Sequence, residues 1–167
     1  TKRHATHYNS GDSADDRPDR STWRTGEKMP IEIKQVHKYF VGEVSGIDLS
    51  NPLSQNEARE IEEAMDQFGV LIFKEQNLKP KNLFLAATLW GPPQKHPVFQ
   101  GLNEHPEIIK IENYGEQYHT NAHWHSDVPF EEEPPDATIL YAIDVPSKGG
   151  NTLFSNQYLA YEFLENS

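Results

Sequence analysis

A chain of 167 residues holds one domain at most, and 35% hydrophobic residues with a mean hydropathy of −0.77 is lean for a self-sufficient core, so part of it is expected to be disordered or part of the protein to lie outside it. The formal charge is −11; residues 1–28 hold six Lys/Arg and five Asp/Glu, which leaves nine basic against 21 acidic residues in 29–167, a net of −12 that would repel a phosphate backbone and argues against a nucleic-acid partner, though a local basic pocket can still take a small anion. No cysteine is present, which excludes disulfide, thiolate and zinc-finger chemistry; no apolar run reaches the roughly 20 residues of a membrane span or forms the core of a signal peptide, so the expected location is the cytoplasm.

Residues 1–28 are rich in Ser, Thr, Asp, Arg and His and show no apolar period, with Trp23 as the single large hydrophobe. Such a stretch buries too little surface to offset its ordering entropy, and it reads as a disordered extension ahead of a domain that starts at Met29. Ile31 to Val36 alternates apolar and polar residues as a half-buried strand does, and Val41 to Leu49, bounded by Gly42 and Gly46, completes an opening hairpin. Ser54-Gln-Asn-Glu57 has capping-box spacing; Ala58, Ile61, Met65 and Phe68 then recur at helical intervals up to a stop at Gly69. Val70 to Phe73 is an unbroken apolar run of strand length. Pro80 opens a second helix through Leu83, Phe84, Ala87 and Trp90, closed by Gly91-Pro-Pro. Strands are expected at Glu107–Glu112 and Ala137–Ile143, a polar loop at Asn113–Thr120, and a final amphipathic helix from about Ser155. With strands outnumbering helices in the second half, the fold class is mainly β with peripheral helices.

The chemistry concentrates in Asn121-Ala-His-Trp-His-Ser-Asp-Val-Pro-Phe130. In an extended segment His125 and Asp127 leave one face together and offer two arms of a two-His-one-carboxylate facial triad, the donor set that leaves open positions on a non-haem ferrous ion. His123 shares that face, so a cupin-like alternative uses His123 and His125 together with Glu131, although the glycines that frame such motifs are missing.

Around this pair stand Trp124-His-Ser-Asp-Val-Pro-Phe130, Glu133-Pro-Pro-Asp-Ala-Thr-Ile-Leu140, Val145-Pro-Ser-Lys-Gly-Gly-Asn-Thr-Leu-Phe154 and Ala160-Tyr-Glu162. In this order and spacing the chain resembles the taurine and phenoxyacetate dioxygenases, which depend on Fe(II) and 2-oxoglutarate, from about Pro30 to its last residue. The resemblance implies a double-stranded β-helix, or jelly roll, of which this chain would hold the N-terminal, incomplete part within 29–167. It implies His125 and Asp127 as metal ligands and Thr152, after the Gly149-Gly150 turn, as a hydroxyl donor to the distal carboxylate of 2-oxoglutarate. It also matches the family's substrate-binding histidine, aromatic residue and asparagine to His96, Phe99 and Asn121. Phe99 stands where the taurine-type members carry tyrosine, which removes a donor and favours an organic anion other than taurine.

The reaction implied is oxidative decarboxylation of 2-oxoglutarate to succinate with dioxygen, coupled to hydroxylation of a small organic anion (a sulfonate, sulfate ester or aryloxy acid) at a carbon beside a heteroatom. The competing reading is a non-catalytic metal- or anion-binding jelly roll. No His follows His125 and no Arg follows Arg59, so the family's second histidine and its 2-oxoglutarate-clamping arginine are expected to be missing from a fragment that is inactive alone. No membrane partner is expected, and a full-length member is open to homo-oligomer formation.

Overall fold

The computed structural model of the chain describes residues 3–6, 30–112 and 123–165. In chain order they form strand β1 (Arg3–Thr6), strands β2 (Glu32–Gln35) and β3 (Gly42–Ser45), helix α1 (Gln55–Phe68), strand β4 (Val70–Phe73), helix α2 (Pro80–Ala87) followed by a 3-10 turn over Thr88–Trp90, strand β5 (Ala137–Leu140) and helix α3 (Gln157–Glu165). The strands make one sheet in the order β2, β3, β4, β1, β5. β2 and β3 pair antiparallel, with Glu32 opposite Ser45 and Gln35 opposite Gly42, which is the hairpin expected from alternation; the remaining pairs are parallel.

Helix α1 forms where capping and period both point. The Ser54 hydroxyl accepts from the Glu57 N–H at 3.3 Å while the Glu57 carboxylate accepts from the Ser54 N–H at 2.7 Å, satisfying two donors that the first turn would otherwise leave bare. At the other end Gly69 takes φ 66 and its N–H donates to the Met65 carbonyl at 2.8 Å, so the chain passes straight into β4. Ile61, Ala64, Met65 and Phe68 of α1 face Val44, Leu71 and Phe73 of the sheet and make the core. Ile61, Met65 and Leu71 are fully buried, each worth about 1.5–3 kcal/mol relative to exposure. Val70, Leu71 and Phe73 are all buried, as expected of a strand covered on both faces.

Several expectations need correction. Glu107–Glu112 is irregular, not a strand: the Ile108 N–H donates to the His105 carbonyl and the Ile108 carbonyl accepts from Leu102, so local turns use groups that a ladder would need. Among the described residues beyond Gly91 there is one strand, β5, and one helix, α3, so strands do not outnumber helices there. Within residues 1–28 the described tetrad Arg3–Thr6 forms β1, paired through its backbone with β4 on one side and β5 on the other. The rest of residues 1–28 and the loop Asn113–Thr120 lie outside the described residues. A second sheet facing the first is not formed by the described residues, which make a single mixed sheet with α1 packed on it.

Apolar side chains crowd the surface of the second half. Trp124, Phe130, Ile143, Leu153, Tyr161, Phe163 and Leu164 are all largely exposed.

Candidate functional site

His125 and Asp127 sit in an irregular segment between residues 123 and 133, not on a strand, so the shared face expected from strand alternation is not what brings them together. Local hydrogen bonding does. His125 Nδ1 lies 2.7 Å from the His123 carbonyl oxygen. A carbonyl only accepts, so Nδ1 carries the ring proton in that bond and a neutral ring keeps its lone pair on Nε2. Nε2 in turn lies 3.3 Å from Asp127 Oδ1, with the two side chains half-exposed and partly buried respectively. The other carboxylate oxygen, Oδ2, accepts from the Thr138 hydroxyl at 2.9 Å across from β5. Val128, next in the chain, has φ 44, a left-handed backbone that a β-branched residue rarely takes, and this bends the segment away directly after the carboxylate.

Chemically, Nε2 and Oδ1 at this separation share a proton when the ring is an imidazolium, and when the ring is neutral they are two adjacent acceptors that a divalent cation can bridge. Two cis donors at about 2.1 Å from an octahedral ion stand about 3 Å apart, close to the observed 3.3 Å. The donor set, one imidazole nitrogen and one carboxylate, fits a ferrous or similar first-row ion. Among the described residues no third His, Asp, Glu or Cys joins the pair into a three-ligand cluster. His123 supplies its carbonyl to His125, and its exposed side chain is not gathered with Glu131 into the cupin-like set.

The expected substrate residues divide. His96 and Phe99 meet, their ring centroids 4.7 Å apart and tilted by 42°. The His96 Nδ1 accepts from the backbone N–H groups of Val98 and Phe99 at 3.1 and 3.0 Å, so it holds no proton and the ring donates through Nε2. The two rings therefore use Nδ1 in opposite ways: His96 accepts there from two backbone N–H groups, and His125 donates there to a backbone carbonyl. Phe99 is mostly exposed. Thr152 is exposed in an irregular segment that follows two left-handed glycines, Gly149 at φ 77 and Gly150 at φ 68. Asn121 lies outside the described residues. A separate cavity, lined by Leu49, Phe73, Leu83, Trp90, Ile139 and Tyr141 among others, includes neither His125 nor Asp127. Sequence reading missed Thr138: it stands within the Glu133–Leu140 block but has no role assigned there, and only the strand phase of Ala137 to Leu140 hinted at where its hydroxyl would go. No helix among the described residues is long and apolar enough to cross a membrane.

Known proteins resemble this chain over nearly all of its patterned length. An alkylsulfatase of Acinetobacter baylyi (strain ATCC 33305 / BD413 / ADP1) is 30% identical over 146 residues, covering 86% of this chain and 45% of the relative. An alpha-ketoglutarate-dependent 2,4-dichlorophenoxyacetate dioxygenase of Burkholderia sp. (strain RASC) is 31% identical over 155 residues, covering 81% of this chain and 52% of the relative. The chain thus spans about half the length of these curated relatives. Among solved structures, a taurine dioxygenase from Burkholderia xenovorans aligns with 30% identity and a TM-score of 0.43, over 46% of this chain and 28% of that one. The family profile described as taurine catabolism dioxygenase TauD, TfdA family matches residues 32–167, from β2 through the His125–Asp127 segment to the end of the chain, and the chain belongs to that family.

Proposed function

We propose that this chain is the metal-binding N-terminal portion, residues 29–167, of an Fe(II)- and 2-oxoglutarate-dependent dioxygenase that hydroxylates a small organic anion in the cytoplasm, with a jelly roll as the complete fold. The observation that carries the reading is the His125 Nε2 to Asp127 Oδ1 separation of 3.3 Å, with Nε2 turned toward the carboxylate by the bond from Nδ1 to the His123 carbonyl. Family membership and the names of the relatives, which include dioxygenases acting on 2,4-dichlorophenoxyacetate and on sulfate esters, support the reaction and substrate class.

In this reading His125 and Asp127 hold the metal, which would supply the oxidative chemistry using dioxygen and 2-oxoglutarate. Thr152 would donate its hydroxyl to the distal carboxylate of 2-oxoglutarate. His96 would orient the substrate's sulfonate, sulfate or carboxylate by donating from Nε2, a direction that the two amide bonds to Nδ1 dictate. Phe99 would wall the substrate without adding a donor, and Asn121 would complete that subsite. Residues 126–167 contain no His and residues 60–167 no Arg, so the third ligand and a guanidinium clamp on 2-oxoglutarate would come from sequence outside this chain.

The test is succinate formation from 2-oxoglutarate with Fe(II), ascorbate and dioxygen, run with a panel of sulfonates, sulfate esters and aryloxy acids on the chain extended through the family's full length. Substrate-coupled succinate is expected from the extended protein and none above the metal-only background from residues 29–167. No turnover by the extended protein would favour a non-catalytic anion- or metal-binding jelly roll.

A further inference from the structure

Asp127 lies on a segment with no helical or strand repeat to hold it, and the strained Val128 follows at once. A carboxylate so placed turns about two side-chain bonds and offers either oxygen, or both, to a cation unless a group outside the segment fixes it. Thr138 is such a group. On β5 its neighbours Ala137 and Ile139 pack against the core, so by strand alternation Thr138 projects from the opposite face, and its hydroxyl donates to Asp127 Oδ2 at 2.9 Å. The strand's exit is tied down as well: the Tyr141 hydroxyl accepts from the Leu78 N–H at 3.2 Å and donates to the Gln76 carbonyl at 3.3 Å. A β-branched side chain on a strand held in this way has few rotamers, so the hydroxyl is a fixed point.

We propose that Thr138 is a positioning residue of the metal site: by occupying Oδ2 it leaves Asp127 to bind through Oδ1 alone, on the side of His125 Nε2. This rests on the metal reading of the His125–Asp127 pair given above. The consequence is functional, because a carboxylate that bound through both oxygens would take one of the positions that a bidentate co-substrate and dioxygen require.

The test uses the 167-residue chain and Co(II) as a spectroscopic stand-in for Fe(II), with binding read from the visible absorption of the bound ion during titration, a signal that every variant retains, and folding read from the thermal midpoint. Thr138→Val keeps the shape and strand preference but removes the hydroxyl, and should weaken Co(II) binding about 10- to 100-fold, the usual loss when a ligand's hydrogen-bonding partner is removed. Thr138→Ser restores the hydroxyl without the methyl and should bind within a few-fold of the parent. Should Thr138→Val prove poorly folded, the Ser variant with Thr138→Ala makes the same comparison. Hydroxyl-free variants that bind as tightly as the parent, while Asp127→Ala loses binding, would overturn the role of Thr138 and leave the metal reading standing; a Ser variant as weak as Val would overturn it too, since packing would then be the cause. Unchanged binding in both His125→Ala and Asp127→Ala would instead remove the metal reading, and the role of Thr138 with it.

Discussion

Gly42→Ala tests whether α1 and the sheet meet as closely as the structure has them. Gly42 is buried at the start of β3, opposite Leu71 in the ladder. A Cβ added there would stand 2.7 Å from Phe68 Cδ2 and 3.1 Å from Leu71 Cδ2. Favourable carbon contacts lie at about 3.5–4.0 Å, so the new methyl intrudes by about 1 Å. Little can give way: Phe68 sits in the last turn of α1, 8% exposed, among Met65 and Leu71 at 0%. Overpacking of this kind costs about 1–3 kcal/mol. The loss of glycine's freedom in the unfolded chain returns about 0.4–1 kcal/mol. A net destabilisation of about 1–2 kcal/mol is therefore expected, read as a lower urea midpoint at unchanged slope. In a Phe68→Leu background the penalty should shrink, because the clashing ring is gone, and the coupling between the two sites should reach about 0.5 kcal/mol or more. A neutral or stabilising Gly42→Ala, or an equal penalty in both backgrounds, would refute the packing described.

Other perturbations follow the same physics. Ser54→Ala removes only the longer half of the capping box, the 3.3 Å bond from the Glu57 N–H, and should cost about 0.5–1 kcal/mol in urea unfolding; Ser54→Asp should restore most of it. Asp48 is held below the usual carboxylate range, first by the Ser50 hydroxyl, then by the Ser50 N–H, with the Asn51 amide adding to both. A depressed folded value means that its stabilisation is fully present above its unfolded pKa of about 3.9 and is lost as pH falls through the folded value, so Asp48→Asn should flatten that part of the acid limb of a stability-versus-pH curve.

How much was legible in the sequence depends on whether a signal is local. Ser54, Glu57, Ile61, Met65, Phe68 and Gly69 agree on cap, face and stop, and α1 runs between them as expected. Val70–Phe73 needed only its continuous apolar run. Glu107–Glu112 had an apolar pattern but finds no partner strand among the described residues, and a strand without a ladder is not stabilised by pattern. β1 is the converse: a polar tetrad whose place is set by pairing with β4 and β5, which no periodicity encodes. At the candidate site the spacing of His125 and Asp127 pointed to two side chains that do meet, but by way of the wrong backbone, since a carbonyl-to-imidazole bond in an irregular segment does what strand alternation was expected to do. Thr138 became visible only in three dimensions, 11 residues away from the carboxylate it holds.

Whether His125 and Asp127 share a metal ion is tested most directly by Mn(II) affinity, measured by electron paramagnetic resonance of the free ion, for the parent chain and for His125→Ala, Asp127→Ala and His123→Ala. The first two variants should each bind much more weakly than the parent, by about tenfold or more, since each removes a donor. His123→Ala should bind nearly as the parent, because His123 acts through a backbone carbonyl that the substitution retains. Equal losses in all three would point to the cupin-like set with His123 as a ligand, and no loss in His125→Ala or Asp127→Ala would contradict the metal site altogether.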